Sequence, residues 1–152
     1  MIQTDSGKYA IRAMAYIAAR ENPAEPISAA EVAEAESIPP YYLAKVLQDL
    51  ARAGVLSSVR GRGGGFKMLR APEEVPVMEI LEAVENVKKL TTECVLGLDR
   101  CDEEVSCPMH TTWMTFRDRL LDQLVDMTVA DLVVELDRKR KHLKGGGKRK
   151  RG

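Results

Sequence analysis

The chain has 152 residues, 45% of them hydrophobic and 30% charged, with 23 basic against 23 acidic side chains. Those are the proportions of one ordinary domain with enough apolar material for a core. No apolar run is long enough to span a membrane: Ala13 to Ala19 is bounded by Arg12 and Arg20 and is followed by no signal-peptide cleavage pattern. A cytoplasmic protein without a membrane partner is therefore expected. The neutral balance hides a division. Residues 1–137 hold 14 basic and 23 acidic groups, a net −9, and residues 138–152 hold nine basic groups and no acid, a net +9. The run Lys144-Gly-Gly-Gly-Lys148 reads as a flexible break in that tail, so residues 138–152 are expected to be a basic, disordered end with an unspecific, salt-sensitive attraction to DNA.

From the N-terminus, Ala10, Ala13, Met14 and Ile17 recur on one helix face within a helix expected over Asp5 to Arg20, which the breakers Asn22, Pro23 and Pro26 terminate. Ser28-Ala-Ala-Glu31 has the form of a capping box and opens a short second helix. That helix should stop before Ile38-Pro39-Pro40, because a proline disfavours helical geometry in the residue ahead of it. A third helix runs from about Pro40 to Ala53, with Gly54 as its left-handed stop. Leu43, Val46, Leu47 and Leu50 form its inward stripe. Tyr41, Lys45, Gln48 and Arg52 line the opposite face, which for an isolated helix would be read simply as solvated. The order of short capped helix, tight proline turn and second helix points instead to a helix-turn-helix whose second helix enters a major groove. Gln48 and Lys45 are then placed to read base edges, and Tyr41 or Arg52 to reach phosphates.

Val55 to Leu69 contains two short β-prone runs around Gly61-Arg-Gly-Gly-Gly65, a hairpin whose glycines allow positive φ. From Gly54 to Arg70 the charges are Arg60, Arg62, Lys67 and Arg70 with no acid, which suits a wing laid on a phosphate backbone or in a narrow minor groove. The stretch lacks the Lys-Ser/Thr ending of a P-loop and the spacing of a dinucleotide fingerprint. The expected DNA contacts are Tyr41, Tyr42, Lys45, Gln48 and Arg52 on the helix and Ser58, Arg60 and Arg62 on the hairpin. Beyond Pro72 and Pro76, the residues Val77, Ile80, Leu81 and Val84 mark a short amphipathic helix leading to the cysteines.

Cys94, Cys101 and Cys107 are the chain's three cysteines, and Cys107 opens the sequence Cys107-Pro-Met-His110. An odd, clustered set fits a disulfide framework poorly and a metal or redox site well. With Pro108 at a first helical position, Cys107 is expected at the N-cap and His110 one turn in, where the helix dipole favours thiolates. The intervals of six and five residues differ from the close cysteine pairs of structural zinc sites and leave a loop able to wrap a larger cluster, so iron–sulfur is favoured over zinc. Downstream, Met109, Trp113, Phe116, Leu120, Leu124 and Met127 make a long apolar stripe suited to pairing with a second copy. Thr128 caps a last helix, Val129 to about Lys141, whose Leu132, Val133 and Leu136 are available to cross the partner. Residues 1–75 thus read as a winged helix-turn-helix domain with its N-terminal helix, residues 76–137 as linker helix, cysteine loop and dimerisation helices, and the fold as mainly α with a small β-hairpin wing. A two-fold dimer would suit a near-palindromic site in double-stranded DNA.

The segments Thr4-Asp-Ser-Gly-Lys-Tyr-Ala-Ile-Arg-Ala-Met14, Tyr42-Leu-Ala-Lys-Val-Leu47 and Gly54-Val-Leu-Ser-Ser-Val-Arg-Gly-Arg-Gly-Gly-Gly65, with the three cysteines before Cys107-Pro-Met-His110, resemble the IscR- and NsrR-type regulators of the Rrf-two family over nearly everything to Leu136. The resemblance implies a winged-helix homodimer with a long dimerisation helix. It also implies an iron–sulfur cluster on Cys94, Cys101 and Cys107 that governs promoters in response to cluster status, oxidants or nitric oxide. IscR-like proteins place a histidine where this chain has His110 and carry a two-iron, two-sulfur cluster. NsrR-like proteins use an N-terminal carboxylate of the partner chain for a four-iron cluster, and the matching position here is Lys8, with Asp5 nearby. Six residues separate Cys94 from Cys101, where the family commonly has five. The expectation is His110 as fourth ligand of a 2Fe–2S cluster, with 4Fe–4S as the alternative nuclearity. A thiol-redox or zinc-containing regulator without a cluster is the alternative function. An enzyme is not expected: His110 and His142 are the only histidines, one assigned to the cluster and one in the tail, which leaves no imidazole for a Ser/His/Asp arrangement.

Overall fold

In the computed structural model, which describes residues 4–98 and 101–146, the first helix, α1 (Asp5–Ala18), runs through the centre of the molecule. Thr4 caps it, its hydroxyl accepting the Gly7 amide at 3.2 Å. Ala10, Ala13, Met14 and Ile17 are completely buried, as the helical spacing requires. The helix-turn-helix packs against it. In α2 (Ala29–Glu36) the Ser28 hydroxyl accepts the Glu31 amide, and Ser37 ends the helix in the left-handed region at φ 52°. Ile38 then turns into the core and α3 (Pro40–Arg52) begins on a proline whose missing N–H has no partner to lose there. Leu43, Leu47 and Leu50 of α3 are fully buried; each such side chain contributes about 1.5–3 kcal/mol of transfer free energy.

Gly54, at φ 78°, supplies the left-handed exit from α3. Strands β1 (Leu56–Val59) and β2 (Gly65–Met68) then pair antiparallel with Leu56 opposite Met68 and Val59 opposite Gly65. The hairpin is not isolated. Ile27, just before α2, exchanges two backbone hydrogen bonds with Phe66 at 2.8 and 2.9 Å, adding a bridging rung on the other edge of β2. That close approach needs Gly65, because a Cβ there would lie 2.1 Å from the Ile27 carbonyl oxygen.

A single 3₁₀ turn at Pro72–Glu74 leads to α4 (Val77–Val84), α5 (Val87–Thr92), α6 (His110–Asp126) and α7 (Val129–Gly146). The mainly helical architecture with a two-stranded wing agrees with the sequence reading. The α6–α7 corner is clasped to the chain ahead of α4: the Val77 amide donates to Met127 and the Val129 amide to Val75, both at 2.8 Å. Among the described residues, no helix is long and apolar enough to cross a membrane.

Three expectations change. The final helix runs to Gly146 rather than to about Lys141, so Arg138 to Gly146, assigned above to a disordered tail, are helical, while residues 147–152 lie outside the described residues. Ion pairs explain the extension: Lys141 reaches Asp137 one turn back, and Arg140 reaches Glu36. The apolar stripe of α6 is divided. Leu124 is buried within the chain, packed with Leu120 and Met127 against α4, whereas Met109 and Phe116 are about half exposed. On α7, Leu132, Val133 and Leu136 also pack on the chain's own core rather than standing free for a partner, because the clasp at Val129 turns that face inward.

Candidate metal centre and nucleic-acid interface

The loop from Cys94 to Cys107 folds back so that its three sulfurs lie within 4.8 Å of one another. Cys94, buried, lies just past Glu93, the residue that closes α5, and its carbonyl accepts the Gly97 amide at 2.9 Å in a turn that Gly97 makes at φ 73°. The Leu96 amide, directed at the Cys94 sulfur, draws this thiol below the ordinary cysteine range; Leu98, Cys107 and Cys101 assist and burial opposes. For Cys101 the Cys107 amide, 3.4 Å from its sulfur, is the largest influence and favours the thiolate, yet burial and the adjoining thiols outweigh it and raise the pKa. Sulfurs crowded this closely do not all ionise easily unless a cation shares them.

His110 joins the group. Its Nδ1 is 3.1 Å from the Cys101 sulfur. The local route differs from the expected one: Cys107 is not an N-cap. Its carbonyl accepts the His110 amide at 3.0 Å, with Pro108 and Met109 as the corners of a tight turn, and α6 begins at His110 with Met109 (φ −98°, ψ −1°) as its cap residue. Proline at the first corner and near-zero ψ at the second are the preferences of a type I turn, which competes here with helix initiation. Asp5, the carboxylate candidate for a partner chain's cluster, makes an ion pair with Lys8 at 3.9 Å.

Trp113, one turn beyond His110, was read from sequence only as part of an apolar stripe. Its indole N–H is buried without a hydrogen-bond acceptor among the described residues, and its ring shares with Cys94 and Glu85 the wall of a cleft of about 630 Å³. A buried donor left unpaired costs about 1–3 kcal/mol, which the packing around Trp113 offsets. Three soft thiolate donors, one imidazole and inward-directed backbone amides fit an iron–sulfur cluster or a thiophilic metal ion.

The second surface is formed by α3 and the hairpin. Tyr41 is 90% exposed, and Lys45, Gln48 and Arg52 are exposed on the same side, opposite the buried leucines. Arg52 makes an ion pair with Asp49 at 2.8 Å. Tyr42 is drawn towards α1: its hydroxyl is 2.9 Å from Ser6 and its ring meets Tyr9 edge-on, so it positions α3 as well as bordering this face. Ser58 is exposed on β1, and Arg60 and Arg62 are exposed at the wing tip, where Gly61 and Gly63 take positive φ. Sequence reasoning missed the buried Glu36 at the end of α2. It accepts from Arg12 at 3.2 Å and from Arg140 at 2.9 and 3.0 Å. Nothing in the local pattern around Glu36 announces a partner 104 residues away.

Comparison with known proteins places this geometry in a family. The family model described as "Rrf2: Iron-dependent Transcriptional regulator" matches residues 3–135. The HTH-type transcriptional regulator IscR of Aliivibrio salmonicida is 31% identical over 134 residues, 87% of this chain and 77% of that protein. The IscR of Escherichia coli O1:K1 is 32% identical over 130 residues, covering 86% and 78%. Among solved structures, CymR, the global cysteine regulator of B. subtilis, superposes with a TM-score of 0.69 at 21% identity, over 87% of this chain and 95% of that one, a likeness of fold.

Proposed function

From the chain's membership of the Rrf2 family of transcriptional regulators, we propose that it is an iron–sulfur-cluster-dependent DNA-binding regulator that senses cluster status, redox conditions or nitric oxide. The observation that carries this reading is the gathering of three cysteine sulfurs within 4.8 Å, with His110 Nδ1 at 3.1 Å from one of them. Cys94, Cys101, Cys107 and His110 are the proposed ligands of a 2Fe–2S cluster, the nuclearity that the resemblance to IscR-type regulators favours over 4Fe–4S. When bound, such a cluster supplies a charged, oxidisable group whose loss frees three thiols.

The remaining work falls to the chain's own residues. Cys94 follows α5, which follows α4, and α4 packs on both α1 and α3. A change in the path of the cysteine loop therefore has a short packed route to the recognition helix. Gln48 and Lys45 read base edges; Tyr41, Tyr42, Arg52 and Ser58 border the contact; Arg60 and Arg62 hold phosphate or minor groove. The exposed Met109 and Phe116 at the start of α6 suit a homodimer interface, and two-fold symmetry would match a near-palindromic promoter site in double-stranded DNA.

Iron, sulfide and zinc analysis of anaerobically purified protein tests the proposal. Equal iron and sulfide, with loss of both in Cys94→Ala, Cys101→Ala and Cys107→Ala, is the expected result. Colourless protein holding zinc would favour the second reading, a zinc-containing or thiol-redox regulator, for which the same close thiols are suited.

A further inference from the structure

Glu36 closes α2 directly ahead of the turn into α3, and its buried carboxylate is gripped from two sides. Arg12 donates from α1, and Arg140 donates to both carboxylate oxygens from α7. The second grip fixes the distal half of α7 beside the helix-turn-helix. That half is basic throughout: residues 138–146 hold Arg138, Lys139, Arg140, Lys141 and Lys144 and no acid, and all five are exposed. Arg138 and Lys141 are partly neutralised by Glu135 and Asp137, whereas Lys139 and Lys144 have no ion-pair partner among the described residues.

We propose that this end of α7 is a second DNA-contacting surface, whose ligand is the sugar-phosphate backbone beside the stretch covered by the recognition helix. The inference rests on the reading of α3 and the wing as the DNA-reading unit. Its chemistry is charge complementarity in a fixed place. Residues 1–137 carry a net −9, which repels a duplex except where basic groups are concentrated. A loosely attached basic tail would answer that repulsion anywhere along the duplex. The Glu36–Arg140 pair instead holds its cations at one position relative to α3, and the two guanidiniums also neutralise a carboxylate beside the turn into the recognition helix. The contact is therefore expected to be sequence-independent but position-specific.

The experiment uses the full chain and a duplex that the wild type selects from a random-sequence library, with hydroxyl-radical footprints and affinities followed through a salt series. In the Lys139→Gln/Lys144→Gln variant, protection should be lost at phosphates flanking the central footprint, and the log–log salt slope should fall by about 1.8, or ~0.9 for each cation removed. The central footprint and base preference should remain. Arg140→Gln, which releases the anchor and leaves both lysines in place, should lose the same flanking protection. Lys139 and Lys144 are exposed, whereas the Arg140 side chain is only half exposed against Glu36, so an unchanged helical dichroism spectrum and urea midpoint verify the fold of each variant. Flanking protection and slope that survive in both variants overturn the proposal while leaving the DNA-reading unit standing. So does a fall in slope with no change in protection, since that marks diffuse attraction. A wild type that selects no duplex at all overturns the reading beneath it.

Discussion

Gly65 shows how one missing side chain holds the wing. It sits at φ 139°, and an added Cβ would meet backbone atoms of Ile27 and Ser28, which cannot swing aside as a flexible side chain can. Gly65→Ala should therefore break the Ile27–Phe66 rung and cost about 1–3 kcal/mol, read as a lower urea midpoint; Gly63→Ala, strained in φ but open to solvent, should cost less. At the cysteine loop, His110→Ala should change the absorption spectrum and stability of a bound cluster, and Asp5→Ala should leave both unchanged. The reverse result would assign the fourth position to the carboxylate. The identities of these residues were legible in the sequence because cysteine is scarce and clustered and because glycine runs demand a backbone reason. The start of α6 was not: Pro108 suits both a first helical turn and the corner of a tight turn, and the structure takes the second. Trp113 was visible only as an apolar residue, since an unpaired indole N–H is a property of packing.

Among the elements, α7 has the best-defined start. Thr128 and Asp131 exchange caps: the Thr128 hydroxyl accepts the Asp131 amide, and the Asp131 carboxylate accepts the Thr128 amide and hydroxyl at 3.0 and 2.8 Å. The Thr128 amide, aided by its hydroxyl, holds this carboxyl below the ordinary aspartate range. A lowered folded-state pKa means a contribution fully present above the unfolded value and lost as pH falls through the folded one. Asp131→Asn should accordingly lower stability near neutral pH, with the gap from wild type closing in strong acid, as denaturant titrations at the two extremes would show. Recognition helix and wing should separate by their salt behaviour. Arg62→Ala should weaken specific and random duplexes alike and reduce the salt slope by about one unit, whereas Gln48→Ala should cost about 1–3 kcal/mol on the selected duplex only. Equal effects of the two on both duplexes would show that α3 is not the reading helix. Helices α1 to α4 could be read directly from the chain, α1, α3 and α4 by apolar residues at helical spacing and α2 by its Ser28 cap. The six-residue α5 (Val87–Thr92) could not, because a segment of that length shows too little of a helical period to separate it from a loop.

For the whole molecule, the two halves share one core. Val75 and Val129, both completely buried, meet where the clasp joins the entry to α4 and the start of α7, and Val129 belongs to the same apolar cluster as Ile17 and Leu47. Val129→Ala should therefore destabilise the helix-turn-helix as well as the C-terminal helices, by about 2 kcal/mol, in a single unfolding transition. Two separate transitions, with only the later helices weakened, would contradict this coupling. Contacts of this kind, like the pairing of Glu36 with Arg140, were beyond the reach of local pattern, which reports what a segment prefers and not which distant segment it meets.

The Ile27–Phe66 rung bears on the thermodynamics of recognition. A two-stranded hairpin is marginal on its own, and a wing of that kind would become ordered only as it met the duplex, with the entropy loss and heat-capacity change of folding coupled to binding. Here Phe66 is buried and bonded to Ile27 on one edge of β2 while β1 pairs along the other, so the wing's base is set when the protein folds. Calorimetric titration of the duplex should then show a heat-capacity change in keeping with the contact surface alone, and Gly65→Ala should add to it the signature of a wing that must first be assembled.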